Sequence, residues 1–563
     1  MKWEDDGYAR RDDDGRPVTF EEYQKKSSHN ATERNRWNLT KGDLKMFAIT
    51  GVGFFLDSYD LFIINLVTPV WLYEYWGGLD GRKPHYPPLL RGLVNAGSNI
   101  GNIIGQLTFG FLGDVFGRKF VYGKELIVVI IGTILTISLP NDIPTPTLKM
   151  IWLFCFRVLM GVGIGGDYPM SASIVSERSL LPKRGQLLGW IFSNQGWGTL
   201  TGSIATIIIL ASFSHALGAE GHYGQLDAVW RIQMGLGLVP AFATLYFRLT
   251  MPEGRKYLQS RELNGHSAAP NSNGAKNHDN SKPAQEPELD SLGNPSVSTN
   301  VGPSSSSIDA TTAANENKLN PTSSTEGRTK YKAFFVYFSK WKHLKVLLGT
   351  TSTWFLLDVA FYGTNLNQSV LLDEIGFNTG KNEYDLLMRN AIGNLIIAVA
   401  GYVPGYFFTI YFIEKLGRRW IQIQGFLIVA LMFAIIAGDY DHLGTAGKFV
   451  CFAFAQFFFN FGPNSTTFII PAEVYPSRVR GLAHGTSAAV GKLGAILSAL
   501  LFNYLSGPNI IGLANVLWVF FACNVLGAII TFFTIPETRN KDADVMDYEE
   551  WKERQAKLYP EDA

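Results

Sequence analysis

RVLMGVGIGGDYPMSASIVSERSLLPKR, residues 157–184, is the stretch that decides the reading of this chain. It begins as an apolar helix. Gly161, Gly163, Gly165 and Gly166 leave smooth surfaces where a neighbouring helix can approach closely. Asp167, Tyr168 and Pro169 follow, still inside the apolar run. The run ends in a charged turn with Glu177, Arg178, Lys183 and Arg184. A carboxylate within a membrane-length segment costs about 2.5–3.5 kcal/mol on insertion scales, so it faces a cavity or a partner. This helix therefore reads as one wall of a transport pathway.

The rest of the composition agrees with a membrane setting. Of 563 residues, 47% are hydrophobic and only 17% charged, which is low for a soluble protein of this length. The net charge of +1 comes without a basic patch interleaved with aromatics, so nucleic acid is not an expected partner. Cys155, Cys451 and Cys523 lie in apolar runs and are expected as buried small side chains, with no disulfide framework or metal site. No cleavable signal peptide opens the chain, so the first span is expected to act as its own insertion signal.

Apolar runs of spanning length recur. Six are expected at 45–70, 89–112, 122–139, 150–173, 185–212 and 229–251. Six more follow at 344–366, 390–412, 420–437, 448–470, 482–504 and 510–535. Residues 1–41 form a hydrophilic leader, 256–330 a Ser-, Asn-, Pro- and Gly-rich linker, and 541–563 a polar tail. The linker cannot bury enough apolar surface to fold and is expected to be disordered. The fold class is thus an all-α membrane protein of twelve transmembrane helices in two six-helix bundles, 42–255 and 331–540. Lys and Arg concentrate in the turns at Arg118–Lys119, Lys183–Arg184, Arg255–Lys256, Arg418–Arg419, Arg478–Arg480 and Arg539–Lys541, which places that side, both termini and the linker in the cytoplasm. A sequon at Asn367-Gln368-Ser369 closes the seventh span and is weak support for a glycan.

The two halves repeat. Asp57 in FFLD pairs with Asp358 in FLLD, 358 − 57 = 301 residues on. Gly117-Arg118 pairs with Gly417-Arg418, Glu177 with Glu473, Arg184-Gly185 with Arg480-Gly481, and Pro252-Glu253 with Pro536-Glu537. Six spans, a linker and six repeated spans mark a two-bundle transporter with a site near the bilayer midplane.

The repeat also selects residues. Tyr168 pairs with Asn464, and Gln195 falls one place from the position matching Lys492. Trp354, Asp358, Tyr362 and Asn365 are spaced four, four and three apart, so they share a helical face. Asp57 and Asp60 lie three apart, and Arg157 and Lys492 are cations deep in spans. Tyr, Gln, Asn, Trp and Lys donors can hold an oxyanion, with the lysine supplying charge in low dielectric. Buried carboxylates can carry protons, because burial disfavours their charged form. Plainer roles stay open. Arg157 pairs structurally with Asp57 or Asp167; Trp354 packs only; Tyr168 and Asn464 bond helices together; Asp60 faces a wet cavity without useful titration. Glu177, Glu473, Arg118, Arg184, Arg418 and Arg480 read as an inter-helix ion-pair latch.

The GDVFGRK turn (113–119) and its partner EKLGRR (414–419) resemble the loop motif of the major facilitator superfamily. PEGR (252–255) and PETR (536–539) are similar to its sugar-porter-like branch. GGDYPMSASIVSE (165–177), LDSYDLF (56–62), WFLLDVAFYGTN (354–365) and FGPNSTTFIIPAEVYP (461–476) resemble the fungal and plant phosphate:proton symporters. That resemblance implies phosphate held between the halves by Tyr168, Gln195, Trp354, Asp358, Tyr362 and Asn464, with Lys492 nearby. It implies proton movement through Asp57, Asp167 and Asp358, with Asp60 a further candidate. The expected activity is proton-coupled import of inorganic phosphate across the plasma membrane by alternating access, with no cofactor, no enzyme activity and no protein partner assigned. No nucleotide-binding loop is present to drive it otherwise. The alternatives are import of glycerophosphodiesters or sugars, and a phosphate sensor that signals through its linker.

Overall fold

The computed structural model describes residues 10–11, 17–18, 41–77, 87–116, 121–178, 183–219, 223–250, 331–378, 380, 382–477, 479–506, 510–547 and 549–550. The linker, most of the leader and the end of the tail lie outside the described residues, as do Arg118, Lys119, Arg255, Lys256 and Arg478. The side chain of Glu177 lies outside them too.

The longer described helices form twelve rods, with a short helix Gln368–Glu374 following the seventh. The first is α1, Phe47–Trp76, which begins at Lys41 and has Pro69 inside it. Next come α2, Pro88–Phe116, α3, Lys124–Ile137, and α4, Pro146–Arg178. The fifth rod, α5, joins Arg184–Phe192 to Asn194–Ser212, and α6 is Leu226–Leu249. In the second half α7 is Trp341–Asn365, α8 Glu383–Leu416 and α9 Arg418–Gly438. Then α10 joins Thr445–Asn460 to Pro463–Val474, α11 is Arg480–Leu505 and α12 Gly512–Thr534. The expected spans are recovered, and most rods run a turn past their apolar core, because polar residues at a membrane surface extend a helix freely. Outside the rods, Arg10–Arg11 and Pro17–Val18 form a two-residue antiparallel pair within the leader.

Eight rods are long and apolar enough to cross a bilayer: α1, α4, α6, α7, α8, α9, α11 and α12. The other four fall short for local reasons. α3 has 14 residues. α5 and α10 carry polar residues inside the rod, Asn194 and Gln195 in the one and Gln456, Asn460 and Asn464 in the other, which lower their mean hydropathy. α2 has 29 residues but carries a face of amides from Asn95 to Gln106.

Glycine decides how the first six rods pack. A Cβ at Gly161 would lie 2.1 Å from Ser98 O, and one at Gly165 2.4 Å from Asn102 O. The fit is reciprocal: a Cβ at Gly101 would lie 2.0 Å from Val158 O, and one at Gly105 2.1 Å from Val162 O. On the other flank Gly163 presses against Glu125 O of α3 at 2.5 Å. So α4 threads between α2 and α3 at backbone contact, the arrangement its small residues permit. α1 packs on α5 and α6; α7 on α11 and α12; α9 on α10 and α12. The two groups meet along α2–α11 and α5–α8. At the centre Phe54 and Phe192 of the first group reach Phe468 of the second, with ring centroids 5.2 and 4.6 Å away.

The groups touch at both ends of the seam. At one end Asn65 donates to Asn365 O, Ser369 donates to Asn65 O, and Asn95 donates to Leu366 O at 2.9 Å and to Asn367 Oδ1 at 3.3 Å. At the other end Arg480 donates to Ser176 Oγ at 3.1 Å, and Gln186 N donates to Glu414 Oε1 at 3.3 Å. The conformation is therefore occluded. Two expectations are corrected here. The sequon Asn367 is fully buried, its amide donating to Gly363 O at 3.0 Å, so in this conformation a glycan cannot occupy it. Cys155 is not buried but lies on an exposed face of α4.

Replacing Gly161 by leucine forces α2 and α4 apart, an overpacking that costs about 1–3 kcal/mol or more. Thermal unfolding in detergent is expected to show a clear drop for Gly161→Leu. Gly444→Ala, where a Cβ meets nothing within 4 Å, should leave the midpoint unchanged.

Candidate substrate and ion site

Seven side chains were expected at the midplane. Six of them converge at the seam. Lys492, from the middle of α11, is buried. It donates to Asp358 Oδ2 at 3.0 Å and to Tyr362 OH at 2.7 Å, both on α7. Its ammonium lies 4.1 Å from the Tyr362 ring centroid and 5.7 Å from that of Tyr168 on α4. A hydrogen-bond chain starts at Tyr168. Gln195 Nε2 donates to Tyr168 OH at 2.6 Å, Tyr406 OH donates to Gln195 Oε1 at 3.2 Å, and Asn464 Nδ2 donates to Tyr406 OH at 2.9 Å. Four rods, α4, α5, α8 and α10, thus contribute one polar side chain each. Pro169 follows Tyr168 within α4 and cannot donate to the carbonyl of Gly165, which loosens the turn at this level.

Trp354 stands apart from this chain, one turn along α7 from Asp358. Its ring covers Gly491, where a Cβ would lie 2.5 Å from it, and meets His484 edge-on at 5.6 Å. His484 in turn lies 3.2 Å from Phe468 O through Nε2. Asn365, on the same face of α7 as Asp358, belongs to the end closure, where it donates to Gln456 Oε1 at 3.2 Å.

A second polar cluster is built inside the first group of rods. Arg248, near the end of α6, pairs with Asp167 at 2.9 Å and with Glu125 at 3.2 Å. Ser171 donates to Asp167 Oδ1 at 2.7 Å, and the guanidinium lies 4.8 Å from the Tyr122 ring. Asp57 is within electrostatic reach of Asp167 and Arg248. Two carboxylates therefore pair with one guanidinium away from water, with a third, Asp57, near enough to feel its charge. Gly53 makes the geometry possible: a Cβ there would lie 1.7 Å from Arg248 Nη2 and 1.8 Å from Asp167 Oδ2.

Of the candidate partners of Arg157, Asp167 is held by Arg248 instead. Arg157 donates through Nε to Val94 O at 3.3 Å and faces Asp60 electrostatically. The two acids of α1 thus serve different cations. The charged residues proposed as a latch are resolved in part. Arg418 is bidentate to Glu473, with both bonds at 2.8 Å, and pairs with Glu414 at 2.7 Å, all within the second group of rods. Between the groups at that end Arg480, one of the latch candidates, bonds Ser176, and Glu414, which was not among them, accepts from Gln186 N.

Sequence reasoning missed Arg248, Glu125, Tyr406 and His484. Arg248 and Glu125 lie near span ends, where a charge ordinarily meets water. Tyr406 sits among phenylalanines and carries no charge to mark it. Only an argument that three acids in one bundle require a cation would have pointed to Arg248.

Comparisons with known proteins follow this geometry. The model of the sugar (and other) transporter family matches residues 46–296 and 346–549. A Schizosaccharomyces pombe protein, provisionally named inorganic phosphate transporter C1683.01, is 54% identical over 540 residues, covering 94% of this chain and 92% of its own. The inorganic phosphate transporter PHO84 of Saccharomyces cerevisiae is 38% identical over 518 residues, covering 88% and 83%. In structure, the proton:xylose symporter XylE of the major facilitator superfamily, from E. coli, superposes with a TM-score of 0.64 at 16% identity, covering 90% of this chain and 98% of that one. The likeness to XylE shows the fold. The family is one of membrane transporters rather than enzymes, and the multi-pass architecture is that of a membrane protein. With a family model matched across most of its length and the major facilitator fold around a buried polar seam, this chain belongs to the sugar (and other) transporter family.

Proposed function

We propose that the chain imports inorganic phosphate together with protons across the plasma membrane, by rocking 42–255 against 331–540 around the Lys492 seam. The leader, the linker and the tail face the cytoplasm in this reading. The single observation that carries it is a lysine buried with Asp358, Tyr362 and Tyr168 where the two groups of rods meet. A neutral substrate needs no buried ammonium. A phosphate does, and the named relatives support that substrate.

The chemistry follows from the pairing. With Asp358 ionised, its carboxylate holds the ammonium of Lys492. A proton on Asp358 neutralises that carboxylate, frees the ammonium for a phosphate oxygen and turns Asp358 into a donor. Tyr168, Gln195, Tyr362 and Asn464 supply further neutral donors, and Trp354 closes one side. Loss of the proton restores the ion pair and repels the anion, so proton release and phosphate release are linked. Asp57, Asp60 and Asp167 are the other proton carriers in this scheme, with Arg248 and Arg157 as the cations that position them.

Radiolabelled phosphate uptake into proteoliposomes is expected to accelerate when the outer medium is made acidic relative to the lumen. Uptake indifferent to that gradient rejects proton coupling. Lys492→Ala should abolish phosphate uptake; sugar transport that persists in Lys492→Ala, with phosphate never moved, rejects the substrate. Asp358→Asn, a mimic of the protonated acid, should keep phosphate exchange within about threefold of wild type but lose gradient-driven accumulation.

Arg248→Leu leaves buried acids without their cation, a loss of about 3–5 kcal/mol. It should lower the unfolding midpoint in detergent, and Gln at Glu125 in the same chain should recover part of the drop.

A further inference from the structure

The amide face of α2 has no role in the mechanism above. Asn95, Asn99, Asn102 and Gln106 are spaced four, three and four apart, which sets them on one side of the helix with Ser98 at its edge. All five are at most 1% exposed. Asn95 donates to Leu366 O and Asn367, closing one end of the row. Beyond it, both polar atoms of Asn99, of Asn102 and of Gln106, and the hydroxyl of Ser98, have no hydrogen-bond partner among the described residues. Buried amides find partners in native proteins, in protein or in ordered water. Left dry, seven such atoms together would rival the whole stability of a folded domain.

The surroundings say what the partner is. The row lies in a groove between α2, α4 and α11, whose backbones meet at Gly161, Gly165 and Gly485. The close approach of the backbones at these glycines leaves no room between the helices for a bulky ligand. The groups on the row are neutral amides, each both donor and acceptor, which suits water better than an ion. Asn99 and Asn102 are three residues apart, about 5–6 Å between Cβ atoms, the span one water bridges.

The register fixes where the row begins. A Cβ at Gly92 would lie 2.7 Å from Ala499 O, and one at Gly485 2.7 Å from Gln106 O. The two antiparallel helices therefore oppose position 92 to 499 and position 106 to 485, seven residues either side of a centre. That centre opposes Asn99 to Lys492. The buried charged groups of the two facing helices are Lys492 and Arg480 on α11 and Arg157 and Asp167 on α4, of which Arg157 donates to Val94 O of α2 and Asp167 turns away to Arg248. His484 turns away, toward Phe468 and Trp354.

We propose that this face of α2 is a water-binding site. A file of buried waters, seated on Asn99, Asn102 and Gln106, carries protons between the level of Lys492 and Asp358 and the Arg480 end of the molecule. Each proton that enters at one water is matched by one leaving the far water, so nothing else is consumed. The proton-carrying role rests on the proton-coupled reading above; the hydration does not.

The test uses the full chain in proteoliposomes with Cys155→Ser, Cys451→Ser and Cys523→Ser, in chloride-free medium. Silver ion, close to water in size, is the probe, and maleimide labelling after denaturation counts the thiols left uncapped. Asn99→Cys, Asn102→Cys and Gln106→Cys are expected to be capped at least tenfold faster than Ile104→Cys and Leu107→Cys, which lie on the exposed face of the same helix. Equal inertness at 99, 102 and 104 overturns the proposal. A paired variant, Asn99→Leu with Asn102→Leu, guards against cysteine variants that misfold. A wet groove predicts phosphate exchange near the wild-type rate and at least a tenfold loss of gradient-driven accumulation, restored by serine at both positions. A raised melting temperature with unchanged accumulation means a dry groove and overturns the proposal. If the wild type moves no phosphate, the substrate reading fails, and the silver pattern still decides the water file.

Discussion

The structure depends on a charge held out of water. Lys492 has its ammonium buried, and among the described residues Asp358, Tyr362 and the face of Tyr168 attend it. Removing one partner of such a pair leaves an uncompensated ion, which is far more costly than never having had the pair. The constraint reaches both halves. Asp358 and Lys492 come from the second group of rods, and Tyr168 comes from the first. The pair thus ties the electrostatics of the site to the relative placement of the groups.

Around that pair the molecule separates two kinds of contact. Within the first group, α4 is locked to α2 and α3 by glycines at backbone distance, and the Arg248 cluster is closed over Gly53. These contacts tolerate little displacement. Between the groups the hydrogen bonds at the two ends are neutral amides on one side and an arginine–serine bond with a backbone–carboxylate bond on the other, while α2 and α11 also meet at Gly92 and Gly485, where a Cβ would lie 2.7 Å from the facing carbonyl in each case. Each neutral bond at such a boundary is worth about 0.5–1.5 kcal/mol, and those to the charged Arg480 and Glu414 about 1.5–3 kcal/mol.

Much of this was legible in the sequence, and the reasons are physical. A charged residue in an apolar run carries a large penalty, so Asp167, Asp358 and Lys492 announce themselves, and the repeat adds Tyr168, Asn464 and Asp57. The glycines of α4 gave its packing. What stayed hidden carried no such penalty on paper. Arg248 occupies the last turn of a span, where arginine commonly reaches water, and only the fold turns it inward to Asp167. Tyr406 is one aromatic among several, and its place in the chain from Gln195 to Asn464 depends on the π-type turn at Ala398–Tyr402, which rotates the rest of α8. The breaks at Ser193 and Phe461–Gly462 left no strong mark either, since hydropathy averages over them.

Asn367 shows a different kind of economy. The nitrogen that a sugar would modify is the one that donates to Gly363 O, and the same side chain receives bonds from Asn95 and from Asn503 at 2.7 Å. Modification and closure compete for a single atom. During synthesis, a copy that acquired an oligosaccharide there could never bring its halves together, whereas one that folded first would be immune. The order of two events in biogenesis would thus be recorded permanently in each molecule, as a carrier able to complete its stroke or one wedged ajar.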